Sequence, residues 1–223
     1  MYKLLLFDLD GTLTASAEGI TKSVRYALEQ LGRGKEAEDL KALEVFVGPP
    51  LLEQFMKYSK MEEKEAEEAV RLYRERYNVT GLFENRPYEG IPKLLGRLRE
   101  AGFLLGVASS KPEILVKRIL EHFEMTRYFH EIVGSDYNRL KMTKADVIEE
   151  ALKRTGFENR REEVLMIGDR HYDVNGAKEA SVSCLGTAYG YGTAEELEEA
   201  GAETVVNTVK ELEAYFFKEI SLR

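Results

Sequence analysis

Four aspartates lie in two close pairs along the sequence, and each pair stands at the end of an apolar segment. Asp8 and Asp10 end the first apolar segment, and Asp169 and Asp173 follow residues 164–167. Carboxylates that converge on one point repel one another and raise each other's pKa values unless a cation relieves the repulsion. Mg²⁺ suits this task because it binds carboxylates, a backbone carbonyl, waters and a substrate phosphate. The two pairs therefore predict a magnesium site that also binds phosphate.

Hydroxyl and ammonium groups lie at the ends of two further apolar segments. Ser109 and Ser110 follow residues 103–108, and Lys144 begins a helix predicted after residues 132–133. A lysine and a serine hydroxyl beside a bound metal hold phosphoryl oxygens and leave a carboxylate free to attack phosphorus. Each segment alone is also compatible with an ordinary turn or a helix start. Their common position at strand ends favours a phosphate site.

The elements that must position these side chains alternate along the chain. Short, continuously apolar segments are typical of strands buried on both faces of a sheet, and they recur from residues 2–9 to residues 204–206. Helical patterns lie between them. One starts at Pro112, and another starts at a capping box formed by Thr143 and Asp146. This alternation predicts an α/β fold with a Rossmann-like parallel sheet and crossover helices.

Residues 16–86 interrupt the alternation and contain no convincing strand pattern. Apolar residues in this stretch follow two helical stripes, within residues 20–31 and 66–77. About seventy helical residues are too many for a simple crossover connection. We therefore predict an inserted α-helical domain at residues 16–86 and an α/β core domain formed by residues 1–15 and 87–223.

Composition argues against several classes of protein. Of the 223 residues, 43% are hydrophobic, which is enough to bury a sizeable core. The net charge of −8 would repel the phosphate backbone of a nucleic acid, so we expect no nucleic-acid partner. No apolar run approaches the roughly 20 residues of a membrane span, and the first residues do not resemble a signal peptide. The single cysteine, Cys184, cannot form an internal disulfide, so we expect a cytoplasmic protein. Independently of this, we take a monomer as the default oligomeric state.

Four sequence motifs resemble those of the haloacid dehalogenase superfamily of phosphohydrolases. In chain order they are FDLDGTL, ASSKP, TKADVI and GDRHYDVNGAK, and the likeness covers essentially the whole chain. The helical insertion after the first motif resembles the mobile helical cap of that superfamily. Within it, the chain is most similar to the phosphoglycolate phosphatase group and to its 5′-nucleotidase-like branch. GITKSVRYALEQLG, FVGPPLLEQF, ENRPYEGI and YGYGTAEELEEAGA carry this likeness.

The resemblance implies roles for the four aspartates. Asp8 matches the nucleophile that forms an aspartyl-phosphate and also contacts the metal. Asp10 matches the general acid/base, and its backbone carbonyl is a metal ligand in the family. Asp169 matches a metal ligand, and Asp173 matches the acid that supports the metal site directly or through water. The implied cofactor is Mg²⁺.

The resemblance also implies how the phosphoryl group is bound. Ser109 matches the second-motif hydroxyl that binds this group, and Ser110 beside it is a further candidate. Lys144 matches the third-motif lysine. Members of the group often have Lys-Pro there, whereas Ala145 follows Lys144, so Lys141 stays an alternative. The continuation Lys-Ala-Asp-Val-Ile favours Lys144.

We therefore predict a Mg²⁺-dependent phosphomonoesterase whose partner is a small soluble phosphate ester of the phosphoglycolate or nucleoside 5′-monophosphate type. Asp8 attacks phosphorus while Asp10 protonates the departing alkoxide, and Asp10 then takes a proton from the hydrolytic water. A phosphomutase similar to β-phosphoglucomutase is an alternative, because only the rate of water attack separates it from a hydrolase. A receiver-type signalling domain is the non-enzymatic alternative, and the helical insertion and the Asp8–Asp10 pair argue against it.

Overall fold

The computed structural model describes residues 2–136 and 142–217. The strands of the described part are β1 (Leu4–Phe7), β2 (Leu104–Pro112), β3 (Glu131–Ser135), β4 (Val164–Gly168), β5 (Ser183–Thr187) and β6 (Thr204–Val206). They form one parallel sheet in the order β3-β2-β1-β4-β5-β6. The strand order reverses between β1 and β4, which is where open α/β sheets form a crevice at their carboxyl edge.

Helices connect and flank these strands. In chain order they are α1 (Ala17–Gln30), α2 (Leu51–Tyr58), α3 (Glu63–Tyr77), α4 (Ile91–Glu100), α5 (Glu113–His122), α6 (Lys144–Thr155), α7 (His171–Glu179), α8 (Ala194–Ala200) and α9 (Val209–Phe217). The predicted α/β fold with a parallel sheet is confirmed. Among the described residues, no helix combines the length and apolar character needed to cross a bilayer.

Strand β1 divides its side chains between two hydrophobic clusters. Leu5 and Phe7 face one cluster, and Leu4 and Leu6 face the other, because side chains of a strand alternate between its faces. All four are fully buried, as expected of a central strand covered on both sides. The Asp8 N–H continues the ladder with a hydrogen bond of 2.9 Å to the β4 backbone. This fully buried strand therefore ends at a carboxylate.

Strand β2 extends further than its apolar segment predicts. Its pairing with β3 shifts register between Ser109 and Pro112, so the polar residues at positions 109–111 still belong to the strand. Helix α5 begins directly afterwards with Pro112 at its N-cap. The irregular pairing places the side chains of Ser109, Ser110 and Lys111 at the carboxyl edge of the sheet.

In the part of the chain between β1 and α4, the described residues form helices α1, α2 and α3 with short 3₁₀ turns. We call residues 16–86 the insertion. Its ends lie side by side, since the Ala15 N–H donates to the Arg86 carbonyl at 2.8 Å. Ile20 and Val24 of α1 pack in the same hydrophobic cluster as one face of the sheet. The division into an inserted domain at 16–86 and a core domain stays a prediction.

Candidate active site

Lys144 links two of the predicted carboxylates. Its Nζ lies 2.7 Å from Asp8 Oδ1 and 2.7 Å from Asp173 Oδ1, and it donates to the Ala108 carbonyl at 3.0 Å. Burial opposes the charge of Lys144, but the carboxylates of Asp173 and Asp8 outweigh this and raise its pKa. Lys144 therefore stays charged inside the site. The alternative, Lys141, lies outside the described residues.

The helix that carries Lys144 starts where the sequence predicts. Thr143 is the N-cap of α6, and its hydroxyl accepts the Asp146 N–H at 3.1 Å. The Asp146 carboxylate accepts the Thr143 N–H at 2.9 Å in return. This capping box fixes the first turn of α6. The first turn is the part of the helix that directs Lys144 toward Asp8.

Three carboxylates form a group in which each contributes one oxygen, and these oxygens lie within 4.8 Å of one another: Asp8, Asp169 and Asp173. Burial raises the pKa of Asp8 to about 6, and Lys144 opposes this while Asp173 and Asp10 add to it. Burial also raises the pKa of Asp169 well above its usual range, and the charges of Asp173 and Asp8 raise it further. Oxygen-only donors that repel one another fit a hard divalent cation.

The partners of the carboxylate oxygens show which of these oxygens the protein itself leaves free. Asp173 directs Oδ1 to Lys144, and its Oδ2 accepts the N–H groups of Asp169 and Arg170 at 3.1 Å each. Asp8 Oδ2 has no hydrogen-bond partner among the described residues. Asp173 is thus engaged in holding the β4–α7 turn and Lys144. Asp8 retains a free oxygen.

Asp169 is held in a close-packed backbone pocket. Its Oδ2 accepts the Tyr191 N–H at 2.8 Å, and its Oδ1 lies 3.3 Å from the Thr12 hydroxyl. Gly11 has φ +91°, and a Cβ there would lie 2.0 Å from Asp169 Oδ2. A Cβ on Gly190 would lie 2.4 Å from Asp169 Cβ. Gly11 is part of the first motif, whereas no sequence pattern indicates that Gly190 packs against Asp169.

The Asp10 side chain is not a member of the three-carboxylate group and pairs with Lys111 instead. Lys111 Nζ lies 2.8 Å from Asp10 Oδ2 and donates to Tyr77 Oη at 2.6 Å. The sequence motifs include Lys111 but assign it no role, and they do not include Tyr77. Asp10 and Tyr77 lie 101 and 34 positions from Lys111, so no local pattern joins the three residues.

The two predicted serines lie beside these lysines. Ser109 is 2% exposed, and its hydroxyl accepts the Lys111 N–H at 3.3 Å. Ser110 lines a cleft together with Asp10 and Lys111, and it also lines the adjoining cleft that contains Lys144. Both serines stay predicted phosphate ligands.

The cleft above Asp10 lies between the insertion and the carboxyl edge of the sheet. Its empty volume, which includes space open to solvent, is about 820 Å³. The insertion contributes a wall of mainly apolar side chains, which include Ile20, Phe46, Leu52 and Val70. The turn at residues 48–50 lines both adjoining clefts. The cleft thus has charged side chains at the carboxyl edge of the sheet and mainly apolar side chains on the insertion.

His171 lies between Asp169 and Asp173 in sequence but turns away from them. It is the first residue of α7, and its Nδ1 lies 2.6 Å from Glu196 Oε1. The Arg170 Nε donates to the same oxygen at 2.9 Å. His171 therefore contacts the Arg170–Glu196 ion pair that joins the start of α7 to α8.

Over residues 5–187 the sequence matches the family of haloacid dehalogenase-like hydrolases. The match covers most of the chain, so the protein belongs to this family. The predicted family and the predicted class of enzyme, a phosphatase of this family, are confirmed.

Three curated relatives differ in the activity that they are named for. A 5′-nucleotidase of Pseudomonas aeruginosa is 46% identical over 196 residues, which are 88% of this chain and 87% of the relative. The tyrosine-protein kinase PtkA of Mycobacterium tuberculosis is 37% identical over 212 residues, 94% of this chain and 71% of the relative. A phosphoglycolate phosphatase of Aquifex aeolicus is 33% identical over 190 residues, 85% of this chain and 86% of the relative.

A solved structure is similar over nearly its whole length. It is the crystal structure of a predicted phosphatase from Clostridium acetobutylicum, with a TM-score of 0.93 and 46% sequence identity. The similarity covers 98% of this chain and 99% of that chain. The insertion and the core are therefore arranged in both proteins in the same way.

Proposed function

We propose that the protein is a Mg²⁺-dependent phosphomonoesterase that forms an aspartyl-phosphate at Asp8 and prefers nucleoside 5′-monophosphates. The observation that carries this proposal is the environment of Asp8. One of its oxygens is bound by Lys144, and the other is free of protein partners among the described residues. A carboxylate held in this way presents one oxygen for in-line attack.

Asp8, Asp169 and the backbone carbonyl of Asp10 are the groups that would hold Mg²⁺. When bound, Mg²⁺ supplies positive charge that offsets the repulsion between the Asp8 carboxylate and the phosphoryl oxygens. Asp8 must be ionised to attack, and its pKa of about 6 in the protein alone means that ionisation is already favoured near neutral pH. Lys144, Ser109 and Ser110 bind phosphoryl oxygens in this proposal.

The reaction consists of two phosphoryl transfers. In the first, an Asp8 oxygen forms a bond to phosphorus, the bond to the ester oxygen breaks, and Asp10 donates a proton to the departing alkoxide. In the second, water attacks phosphorus while Asp10 accepts its proton, and the bond to Asp8 breaks to release inorganic phosphate. Asp10 returns to its protonated form, so the enzyme is restored.

The cleft favours a nucleoside as the leaving group. Its apolar wall suits a base and a ribose better than the charged glycolate of phosphoglycolate. A glycolate carboxylate would need a cation, but both basic residues that line this cleft, Lys111 and Arg74, already have partners. The relative named 5′-nucleotidase is also more similar to this chain than the relative named phosphoglycolate phosphatase.

A phosphate-release assay tests the activity and the substrate together. The panel contains nucleoside 5′-monophosphates, phosphoglycolate and p-nitrophenyl phosphate, each with Mg²⁺ and with EDTA. We expect release from nucleoside 5′-monophosphates in Mg²⁺ only, and none from the Asp8→Asn variant. Full activity in EDTA would contradict the metal requirement, and a preference for phosphoglycolate would contradict the substrate assignment.

The same assay separates hydrolysis from transfer to another acceptor. One relative is named a tyrosine-protein kinase, and a phosphomutase transfers its phosphoryl group to a sugar. Both reactions give a phosphorylated acceptor instead of inorganic phosphate. A tyrosine peptide or a sugar phosphate is added to the phosphoenzyme, and phosphate release is followed in parallel. This distinguishes a hydrolase from a tyrosine kinase and from a phosphomutase. We expect water to be the acceptor.

Asp10→Asn tests the acid/base assignment. A nitrophenolate leaves without a proton, so Asp8 should still be phosphorylated by p-nitrophenyl phosphate, but hydrolysis of the intermediate lacks its base. We expect a burst of about one equivalent of nitrophenol and then turnover slowed by about 10²–10⁴-fold. Rapid-quench mass spectrometry should find one added phosphoryl group. Equal losses for alkyl and nitrophenyl esters without a burst would contradict the role of Asp10.

A further inference from the structure

Lys111 uses its whole ammonium group inside the protein. Its Nζ lies 3.0 Å from Oδ1 and 2.8 Å from Oδ2 of Asp10, and it donates to Tyr77 Oη at 2.6 Å. An ammonium has three donors and no acceptor, so this set leaves none for a ligand. The side chains of Lys111 and Asp10 are only 7% and 8% exposed. The geometry fits a lysine that holds Asp10 rather than one that binds phosphate.

Tyr77 brings the insertion into this arrangement. It is the last residue of α3 and is 2% exposed, and its ring stacks on Tyr73 with 5.0 Å between centroids. Lys111 Nζ also lies 4.8 Å from the Tyr77 ring centroid, within the range of a cation–π contact. Burial raises the pKa of the Tyr77 phenol far above its usual range, so it stays a neutral acceptor. Lys111 is therefore held by the core at Asp10 and by the insertion at Tyr77.

We propose that Lys111 is the positioning residue of Asp10, and that Tyr77 makes this positioning depend on the packing of α3 over the site. The inference rests on the proposed acid/base role of Asp10. Proton transfer needs Asp10 within hydrogen-bond distance of the leaving oxygen. A contact with both carboxylate oxygens fixes the rotation of the short Asp10 side chain. Movement of α3 removes one of the two groups that hold Lys111 and so changes the orientation of Asp10.

Stability alone is a weak reason for such a pair. Removing two charges from water costs about as much as their attraction returns, so buried ion pairs contribute little net stability. A pair that orients a reacting group instead has a measurable effect on the chemical step, since small displacements of a catalytic group reduce rates strongly. A purely structural role therefore predicts that replacing Lys111 changes only stability, whereas a positioning role predicts that it slows the chemical step.

Two aryl esters isolate the contribution of the proton. Phenyl phosphate and p-nitrophenyl phosphate have similar shapes, but phenolate is the more basic leaving group and needs the proton of Asp10. The readout is the ratio of kcat/KM for phenyl phosphate to kcat/KM for p-nitrophenyl phosphate. A general loss of folded enzyme or of binding leaves this ratio unchanged, whereas misplacement of Asp10 lowers it.

The variants are Lys111→Met, Tyr77→Phe, their double mutant and the reference Asp10→Asn. Tyr73→Phe is the control, because it removes the neighbouring hydroxyl of the same helix and the same cleft. We expect Lys111→Met to lower the ratio by about tenfold or more and Tyr77→Phe by about threefold, with Tyr73→Phe leaving it unchanged. Because Tyr77 acts through Lys111, Tyr77→Phe should add nothing in the Lys111→Met background.

The outcomes separate this inference from the proposed function. If Asp10→Asn leaves the ratio unchanged, Asp10 is not the acid and the proposed function is wrong at that residue. If Asp10→Asn lowers the ratio but Lys111→Met and Tyr77→Phe do not, only the positioning inference is overturned. Additive effects of the two substitutions would overturn the path from Tyr77 through Lys111. Tyr77→Phe removes one hydroxyl and keeps the ring, so it tests the inference even if Lys111→Met does not fold.

Discussion

At the scale of single residues, two lysines with buried side chains pair with three of the four aspartates. Lys144 lies against Asp8 and Asp173, and Lys111 lies against Asp10. In the fully ionised form, before Asp10 takes up the proton that the proposed first step needs, these six side chains carry an excess of two negative charges, which one divalent cation balances. The two lysines and the proposed Mg²⁺ would thus together balance the charge of the four aspartates.

Gly11 provides a test of how Asp169 is held. Gly11 and Gly102 have nearly the same φ angle, +91° and +92°, so alanine costs about 1–2 kcal/mol of strain at either position. Only at Gly11 does the new Cβ meet the Asp169 carboxylate, while at Gly102 it meets nothing within 4 Å. We expect Gly11→Ala to weaken Mg²⁺ binding at least about tenfold by displacing a ligand of a shaped site.

Calorimetric titration with Mg²⁺ measures the difference in affinity between Gly11→Ala and Gly102→Ala, and thermal unfolding measures how much stability each variant loses. Gly102→Ala should lose only the shared backbone strain and bind Mg²⁺ like the wild-type protein, whereas Gly11→Ala should lose more stability because its Cβ also clashes with Asp169. Equal Mg²⁺ affinity in both variants would show that the close approach of Gly11 to Asp169 has no role in metal binding.

At the scale of elements, the start of each helix decides where its first side chains point. The capping box at Thr143 sets the first turn of α6 and with it the position of Lys144. Helix α9 offers a matched case without a catalytic residue, since Thr208 Oγ1 accepts the Glu211 N–H at the same 3.1 Å that joins Thr143 to Asp146. Thr143 differs in that Asp146 completes a capping box with it, whereas Glu211 accepts the Asn207 N–H, and only Thr143 precedes a proposed catalytic side chain.

Thr143→Ala and Thr208→Ala should each lower the free energy of unfolding by about 1 kcal/mol. Only Thr143→Ala should also lower kcat severalfold, because fraying of the first turn loosens Lys144. Chemical denaturation and steady-state kinetics with p-nitrophenyl phosphate measure the two effects. Unchanged kcat in Thr143→Ala would mean that Asp8 and Asp173 hold Lys144 without help from the cap.

At the scale of the whole molecule, the insertion is bound to the core both by covalent connection and by packing. The Ala15–Arg86 hydrogen bond places its two ends side by side, so a short linker can replace residues 16–86. The sheet retains its second hydrophobic cluster, which contains Leu4 and Leu6, after such a deletion. The first cluster loses its part from α1 and α3.

We expect the deletion variant to keep a folded α/β core with reduced stability and altered substrate selectivity. Circular dichroism measures the fold, and the panel of phosphate esters measures selectivity. The ratio of kcat/KM for phenyl phosphate to kcat/KM for p-nitrophenyl phosphate should fall, because Tyr77 is lost with the insertion. An unfolded variant would show that the insertion is part of the main core and not a separate domain.

The buried carboxylates also couple metal binding to pH. The ordinary pKa of Asp8 is 3.8, and in the folded protein it is about 6. Between these values the folded state binds the proton more tightly than the unfolded state. The contribution of Asp8 to the stability of the metal-free protein therefore falls as the pH rises through this range. Mg²⁺ replaces the proton, so its affinity rises with pH over the same range.

Saturating Mg²⁺ should therefore raise the Tm more at about pH 7.5 than at about pH 5. Thermal melts in EDTA and in Mg²⁺ at both pH values measure the difference. Asp8→Asn removes this titrating group, so the dependence on pH should be smaller in that variant. Equal shifts of Tm at both pH values in the wild-type protein would contradict the coupling.

The sequence by itself determined the parallel α/β fold, the strand ends that carry Asp8 and Asp169, and the helix start that carries Lys144. These features have local causes: continuous apolar segments form buried strands, and a capping box begins a helix next to its own residues. The tertiary structure alone decided that Lys111 pairs with Asp10 and Tyr77, and that Gly190 closes over Asp169. Those contacts join residues far apart in the chain, and they depend on how α3 packs over the end of β2, which no local pattern of residues specifies.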